Sequence, residues 1–149
     1  HMLAQGAGVI VNTASILGLV GTTAASSYVA AKHGVVGLTR AAAADYGTQG
    51  VRVNCVTPDG VFEDSGLWEQ IGPSRAKAQG VNAAQLKDHY VQRNLLKREV
   101  RPSDVAEAVL FLASERSSRT TGTLLPVDGG VTAVTPLMMA PRLREVPAP

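Results

Sequence analysis

The sequence predicts an α/β fold built on a short parallel β-sheet with helices on its faces. Three short apolar runs rich in β-branched residues end in small polar residues, Pro or Gly, as buried strands do: GVIVNTAS (8–15), VRVNCVTP (51–58) and TLLPVDGG (123–130). An Ala-rich segment without Pro separates the first two runs, and an amphipathic segment precedes the third. Strands that alternate with helices are joined by right-handed crossovers, which predicts parallel strands.

The elements follow from local signals along the chain. The Ala-rich segment predicts a helix over 27–46, capped by Ser26 or Ser27. Residues 59–101 are polar and irregular, with one helix expected over 83–94. The segment RPSDVAEAVLFLASE (101–115) predicts an amphipathic helix capped by Ser103. Pro126 lacks a backbone donor, which indicates that the last strand lies at a sheet edge.

Composition fits one globular domain over residues 1–134, followed by a loose tail over 135–149. Apolar residues make up 45% of the chain and charged residues 17%, and the net charge of +2 is too small to predict nucleic-acid binding. No apolar run approaches the roughly 20 residues that span a bilayer, and no secretory signal is recognisable, so a cytoplasmic protein is expected. The single Cys55 excludes an internal disulfide and is expected to be a buried, unreactive thiol. No group of residues has metal-ligand spacing.

A phenol and an ammonium lie four positions apart near the start of the Ala-rich helix. Residues i and i+4 share one helix face, so Lys32 is expected beside Tyr28. A free phenol ionises near pH 10, about three units above neutrality, but an adjacent ammonium favours the phenolate. Ser15, at the end of the first predicted strand, offers a hydroxyl that can help bind a carbonyl oxygen. The three residues are candidates for general acid–base chemistry, although the spacing by itself also fits a chance pairing.

Three stretches resemble the C-terminal half of the short-chain dehydrogenase/reductase family, in the family's order and spacing: VNTAS, SYVAAKHGVVGLTRAAAADYGTQGVRVNCVTP and TTGTLLPVDGG. The resemblance implies a truncated Rossmann-like, doubly wound parallel sheet of about three strands with flanking helices. The family's Ser, Tyr and Lys match Ser15, Tyr28 and Lys32. The resemblance implies hydride transfer between a nicotinamide and a carbonyl or alcohol, with Tyr28 moving the proton and Ser15 orienting the substrate oxygen. Lys32 would favour the ionised phenol and hold the nicotinamide ribose.

The residues after the second strand depart from the family pattern. The family has a Pro-Gly there that lies against the nicotinamide, whereas this chain has Pro58-Asp59-Gly60. The cofactor contacts that the resemblance implies are Tyr28, Lys32, Pro58, Asp59, Gly60 and Val61. The stretches TPDGVFEDSGLWEQ, KDHYVQRNLL and SSRTTGTLLPVDGG also resemble the dehydrogenase portion of bifunctional rhamnulose-phosphate aldolase/lactaldehyde dehydrogenases. That finer resemblance implies a small hydroxy-aldehyde or sugar-derived alcohol as substrate, and it is compatible with a larger parent chain.

The family's Gly-rich phosphate-binding turn has no counterpart among the 149 residues. Backbone N–H groups of such a turn bind the pyrophosphate at a helix N-terminus. The GAG at 6–8 precedes a strand and does not follow one. We therefore expect weak or no binding of NAD or NADP by this chain alone, and the sequence does not distinguish between the two. The resemblance also implies an uncovered strand edge, so a homo-oligomer, a dimer or higher, is expected.

Other functions stay open on the sequence. The chain is compatible with a catalytically incomplete fragment that acts as an oligomeric scaffold, or with a short gene product of another activity. A serine-dependent hydrolase using Ser15 is a third alternative, although NTASILG (12–18) is not a Gly-x-Ser-x-Gly elbow. His33 follows Lys32 on the predicted helix and His89 lies in a polar one, so neither is placed as a base. Asp128 is expected to be a turn residue.

Overall fold

Within the described residues the sheet has three strands, all parallel, as the sequence predicts. A computed structural model describes residues 1–22, 25–78 and 80–134, and the predicted tail over 135–149 lies outside the described residues. The strands are β1 (Gly8–Thr13), β2 (Val51–Pro58) and β3 (Leu124–Val127), and β2 lies in the middle. β2 is buried on both faces, as expected of a central parallel strand. Pro126 lies in β3, at an edge of the sheet, where its missing donor leaves no bond unmade.

Five α-helices accompany the strands in the described part of the chain. In sequence order they are α1 (Met2–Gln5), α2 (Ser26–Tyr46), α3 (Gly66–Ala78), α4 (Ala83–Arg93) and α5 (Pro102–Ala113). A 3-10 turn over Ile16–Gly18 follows β1. None of the described helices is both long enough and apolar enough to cross a membrane.

Helix α2 packs on one face of the sheet and fixes the loop that follows β1. Its buried residues are Val36, Thr39 and Ala43. Gly18 allows the loop to approach α2 closely, because a Cβ at that position would lie 2.7 Å from the carbonyl oxygen of Lys32. The loop that carries Ser15 is therefore held against the first turns of α2.

The thiol of Cys55 is buried between these layers, as predicted. Cys55 is fully buried and packs with Ala14 and Val36. Burial raises the pKa of this thiol above its usual value. Because the thiolate is the reactive form, Cys55 is a structural residue.

The predicted cap of α2 is wrong. The helix begins at Ser26, so that Ser26 and Ser27 are its first two helical residues, and Ala25 is the N-cap with no side-chain cap bond. The carbonyl of Ala25 accepts the first helical hydrogen bond, from the backbone N–H of Val29 at 2.9 Å. Ser27 does not cap the helix, and it lines the cleft described below.

The predicted cap of α5 is also wrong. The helix begins at Pro102, whose fixed φ suits the first helical position, and Arg101 is the N-cap. The backbone N–H of Arg101 donates to Asp104 Oδ2 at 2.8 Å, which satisfies a donor at the helix start. Ser103 lies within the first turn and does not cap the helix.

The segment after β2 is more helical than its composition predicts. Residues 59–101 contain α3 as well as the expected α4, and Pro73 lies inside α3. Pro73 and the neighbouring glycines are turn signals in the sequence, which favoured an irregular segment. Tertiary contacts override them, because Trp68 of α3 packs on Phe62 and on Tyr90 of α4. Side chains of α3 and α4 line a cleft at the carboxyl ends of β1 and β2, and we call these two helices the lid helices.

Candidate active site

A cleft of about 590 Å³ opens where β1 and β2 end. Its walls come from the loop after β1, the first turns of α2, the segment after β2 and the lid helices. Ligands of open parallel sheets bind at this edge, outside the carboxyl ends of the strands. All the site residues predicted from the sequence line this one cleft: Ser15, Tyr28, Lys32, Pro58, Asp59, Gly60 and Val61.

Ser15 is held by its own backbone at the start of the 3-10 turn. The residue has extended backbone, and its Oγ accepts a hydrogen bond from the backbone N–H of Leu17 at 3.1 Å. Only 9% of the residue is exposed. A hydroxyl that accepts one bond keeps its own proton for donation. Ser15 can therefore donate to an oxygen atom of a ligand in the cleft.

Tyr28 and Lys32 lie one turn apart on α2, as their spacing predicts. Lys32 Nζ donates to the carbonyl oxygen of Thr13 at 3.1 Å, which anchors the ammonium to the last residue of β1. The same nitrogen lies 5.6 Å from the centroid of the Tyr28 ring. An ammonium has three donors, so further bonds to a ligand are available. Tyr28 is 37% exposed, which leaves its ring accessible from the cleft.

Asp59 forms an ion pair with the lid. Arg93 Nε of α4 donates to Asp59 Oδ2 at 3.3 Å, and Arg93 Nη2 contacts the other carboxylate oxygen. The guanidinium carbon of Arg93 lies 3.8 Å from the centroid of the Tyr90 ring. Asp59, which interrupts the Pro-Gly pattern after β2, therefore links the end of this strand to α4 by an ion pair. Sequence reasoning missed Arg93, because no local pattern connects residues 34 positions apart.

The far wall of the cleft is aromatic. Phe62 and Trp68 stack with ring centroids 4.2 Å apart, and the Tyr90 ring meets both edge-on at 5.2 and 5.1 Å. Arg75 Nη1 donates to Tyr90 Oη at 3.4 Å. Trp68, Arg75 and Tyr90 all line the cleft. The sequence offered no signal for them beyond the helical spacing of α4, since α3 was not expected.

Replacement of Asp59 by Asn is expected to loosen the lid. The variant removes the anionic partner of Arg93, whose side chain is only 26% exposed. We expect a local cost of about 1–2 kcal/mol, which corresponds to roughly 5–30-fold faster opening of α4 in amide hydrogen exchange. Asp88→Asn on the exposed face of α4 is the control and should leave exchange unchanged. Equal exchange rates in the two variants would show that the ion pair does not hold the lid.

Other candidate reactive groups lie away from the cleft. His33 Nδ1 lies 3.0 Å from the carbonyl oxygen of Val29 on the exposed side of α2, and His89 packs against Tyr90. The described residues include no His among those that line the cleft. They also include no group of three or more His, Cys, Asp or Glu side chains arranged to hold a metal. The carboxylate of Asp128 accepts from the backbone N–H groups of Gly130 and Thr132, so it is a turn residue, as expected.

The chain is an α/β protein whose parallel strands end at a cleft lined by Ser, Tyr and Lys side chains, at the edge where open α/β sheets bind their ligands. The family model described as "Enoyl-(Acyl carrier protein) reductase" matches residues 1–132. The chain belongs to the short-chain dehydrogenase/reductase family. The matched residues form the N-terminal portion of this chain, and the assignment to the C-terminal half of the family's domain is not shown by this match.

Three similar proteins illustrate the family. A cis-4-hydroxycyclohexanecarboxylate dehydrogenase of Sinomonas cyclohexanicum is 46% identical over 90% of this chain and 49% of its own length. The structure of a levodione reductase is 36% identical, with a TM-score of 0.79 over 90% of this chain and 50% of its own. An actinorhodin polyketide ketoreductase with NADPH is 34% identical, with a TM-score of 0.81 over 89% of this chain and 50% of its own.

The chain spans about half the length of the curated relatives it matches. The family resemblance is confirmed. The finer resemblance to rhamnulose-phosphate aldolase/lactaldehyde dehydrogenases is not shown by these relatives.

Proposed function

We propose that this chain serves an NAD(P)-dependent oxidoreductase that moves a hydride between a nicotinamide and a carbonyl or alcohol. One observation carries the proposal. Ser15, Tyr28 and Lys32 line a single cleft at the carboxyl end of β1, and Lys32 Nζ is anchored on the carbonyl oxygen of Thr13. A hydroxyl, a phenol and an ammonium that converge on one cleft are suited to moving a proton to or from a substrate oxygen.

The cleft fits a nicotinamide cofactor in its chemistry. Lys32 has ammonium donors left for ribose hydroxyls, and Pro58, Asp59, Gly60 and Val61 form the wall that we assign to the nicotinamide. A bound nicotinamide supplies the hydride donor or acceptor.

The chain's own residues handle the proton. In alcohol oxidation Tyr28 Oη takes the hydroxyl proton of the substrate, and in carbonyl reduction it returns that proton. Ser15 Oγ donates to the same substrate oxygen and orients it. Lys32 stabilises the ionised phenol by its positive charge.

The substrate we propose is a small secondary alcohol or its carbonyl counterpart. A hydroxy-aldehyde or a sugar-derived alcohol is included in that class. The relatives support the class by name, since one is a dehydrogenase of a hydroxycyclohexane carboxylate and another reduces levodione. The cleft volume of about 590 Å³ suits a ligand of this size together with part of a cofactor.

Isotope transfer tests the proposed reaction directly. Secondary alcohols with deuterium on the carbinol carbon are incubated with the protein and NAD⁺ or NADP⁺. The proposal expects deuterium on the nicotinamide ring of the reduced cofactor. Recovery of the label only in water would rule out hydride transfer. Absence of reduced cofactor with both dinucleotides would favour the catalytically incomplete scaffold.

Dinucleotide affinity of the 149-residue chain by itself is expected to be weak. A pyrophosphate without its Gly-rich turn loses several charge-assisted hydrogen bonds, each worth about 1.5–3 kcal/mol. Three such bonds correspond to more than about a thousandfold in the dissociation constant. Calorimetric titration with NAD⁺, NADH, NADP⁺ and NADPH measures it. A micromolar constant for any of the four would contradict this expectation and would mean that other groups supply the missing donors.

We propose that the chain forms a homo-oligomer. Leu38 of α2 and Leu110 of α5 are exposed by 63% and 62%, and Ile10 of the edge strand β1 by 37%. Gly34 and Gly37 leave open space on the surface of α2, which permits close helix–helix contact. Light scattering at low micromolar concentration is expected to give a dimer or a larger oligomer. A monomer with a cooperative thermal transition would refute it.

No observation favours the serine hydrolase. Among the described residues, the only hydrogen bond of the Ser15 hydroxyl is the one it accepts from the backbone N–H of Leu17. The cleft lining within the described residues has no imidazole to act as its base.

A further inference from the structure

The cleft carries more positive than negative charge. Its described lining includes three cations, Lys32, Arg75 and Arg93, and one carboxylate, Asp59. Asp59 is already paired with Arg93, and Lys32 is anchored at the end of β1. Arg75 belongs to neither arrangement. Among the cations of the described lining, it is the one used neither in the ion pair nor in the proposed proton transfer.

Arg75 is held in place by an aromatic support. Within the part of the chain that the structure describes, its guanidinium makes one hydrogen bond, to Tyr90 Oη at 3.4 Å. Tyr90 is 9% exposed and is fixed edge-on against Phe62 and Trp68. A guanidinium has five N–H donors, so a bond to one phenol leaves most of them for a ligand. The described residues place no carboxylate within ion-pair distance of Arg75.

The position of Arg75 defines which part of a ligand it can meet. Arg75 lies on α3 of the lid, whereas Ser15 and Tyr28 lie on the sheet side of the same cleft. A ligand whose oxygen lies at Ser15 and Tyr28 therefore presents its far end to the lid. Trp68 and Tyr90 also line the cleft, and their rings suit a hydrocarbon body of the ligand.

We propose that Arg75 binds an anionic group, a carboxylate or a phosphate, at the end of the substrate remote from the reacting carbon. This assignment rests on the proposed oxidoreductase function and specifies its substrate class as small hydroxy or keto acids, or their phosphate counterparts. The guanidinium fork matches both anions in bidentate geometry. Arg75 acts in substrate recognition, since the proton is moved on the other side of the cleft.

Binding without cofactor or turnover tests the assignment. Trp68 is the only tryptophan of the chain and lines the cleft, so its fluorescence and its indole N–H resonance report on a bound ligand. The probes are cyclohexanecarboxylate, cyclohexyl phosphate and the uncharged cyclohexanecarboxamide. At least one anion is expected to bind about tenfold or more tightly than the amide, and which anion binds more tightly identifies the group.

Two variants with the same change in net charge distinguish a direct contact between Arg75 and the anion from a general electrostatic effect of positive charge. Arg75→Gln is expected to bring the anion and the amide within about twofold of each other, because it removes the charge-assisted bonds. Lys77→Gln is the matched control, since Lys77 is in the same last turn of α3, is exposed and does not line the cleft. It should keep the preference seen in the parent chain. Arg75→Lys, which retains the charge without the fork, is expected to keep a weaker preference.

The outcomes that would overturn the assignment are distinct. In the parent chain, they are equal affinity for the anion and the amide, or no binding of any probe. In the variants, they are an unchanged preference for the anion in Arg75→Gln, or an equal loss of that preference in Lys77→Gln. If Arg75→Gln weakens NADP⁺ binding but not the anion preference, the arginine serves the cofactor. A failed isotope-transfer experiment leaves these binding results unaffected, so failure of the oxidoreductase proposal and failure of this one are distinguishable.

Discussion

Replacement of Tyr28 by Phe is expected to lower kcat/KM for alcohol oxidation by about 100- to 10,000-fold, the range that general acid–base groups contribute. The variant keeps the ring beside Lys32 and removes only the phenolic oxygen. The ring centroid lies 5.6 Å from Lys32 Nζ, so the local packing of α2 has no reason to change. The measurement is the steady-state rate of nicotinamide reduction, with the same alcohol as in the isotope experiment.

Tyr46→Phe is the matched control for this prediction. Tyr46 lies at the other end of α2, is 39% exposed and does not line the cleft. Its replacement should leave kcat/KM within about twofold, as expected for a surface change remote from the site. If Tyr28→Phe kept its rate within tenfold of the parent chain, proton transfer by Tyr28 would be excluded. The loss should fall mainly on kcat, since the phenol assists the transition state more than the bound substrate.

The sequence predicted those parts of the molecule whose signals are local. β2 spans Val51–Pro58, as its β-branched run and terminal Pro indicated. The pairing of Tyr28 with Lys32 follows from helical spacing alone, and Ser15 needs only the end of β1 and the loop that Gly18 brings onto α2. The signals for β2 and for the Tyr28–Lys32 pair are local, whereas the contact that places Ser15 joins the loop after β1 to α2.

The parts that the sequence did not predict depend on contacts between distant residues. α3 contains Pro73, and it packs through Trp68 against a helix that comes later in the chain. The pairing of Asp59 with Arg93 joins residues 34 positions apart and links the segment after β2 to α4. The starts of α2 and α5 also differ from the predicted caps, since Ala25 precedes α2 without a side-chain cap bond and Pro102 takes the first helical position of α5.

Arg52 is the clearest case of a residue whose role has no local signal. It lies in the central strand β2, and its guanidinium forms a hydrogen bond with the last turn of α5. Arg52 Nη1 donates to the carbonyl oxygen of Leu112 at 2.9 Å and to Ser117 Oγ at 2.9 Å, and Nη2 donates to the carbonyl oxygen of Ser114 at 3.1 Å. The last carbonyls of a helix have no partner within the helix and carry partial negative charge. Arg52 therefore joins α5 to the sheet.

Replacement of Arg52 by Met is expected to lower the free energy of unfolding by about 3 kcal/mol, because it leaves carbonyls at the end of α5 without their charged donor. With a urea dependence of about 1–2 kcal/mol per molar for a domain of this size, the unfolding midpoint should fall by about 1.5–3 M. Arg40→Met, at an exposed position on α2, is the control and should change the free energy by less than about 0.5 kcal/mol. Met fills the volume of the aliphatic stem, so the comparison isolates the loss of the hydrogen bonds. A midpoint for Arg52→Met that matches the control would mean that water and the Ser117 hydroxyl, which also donates to the carbonyl oxygens of Leu112 and Ser114, satisfy these carbonyls as well as the guanidinium does.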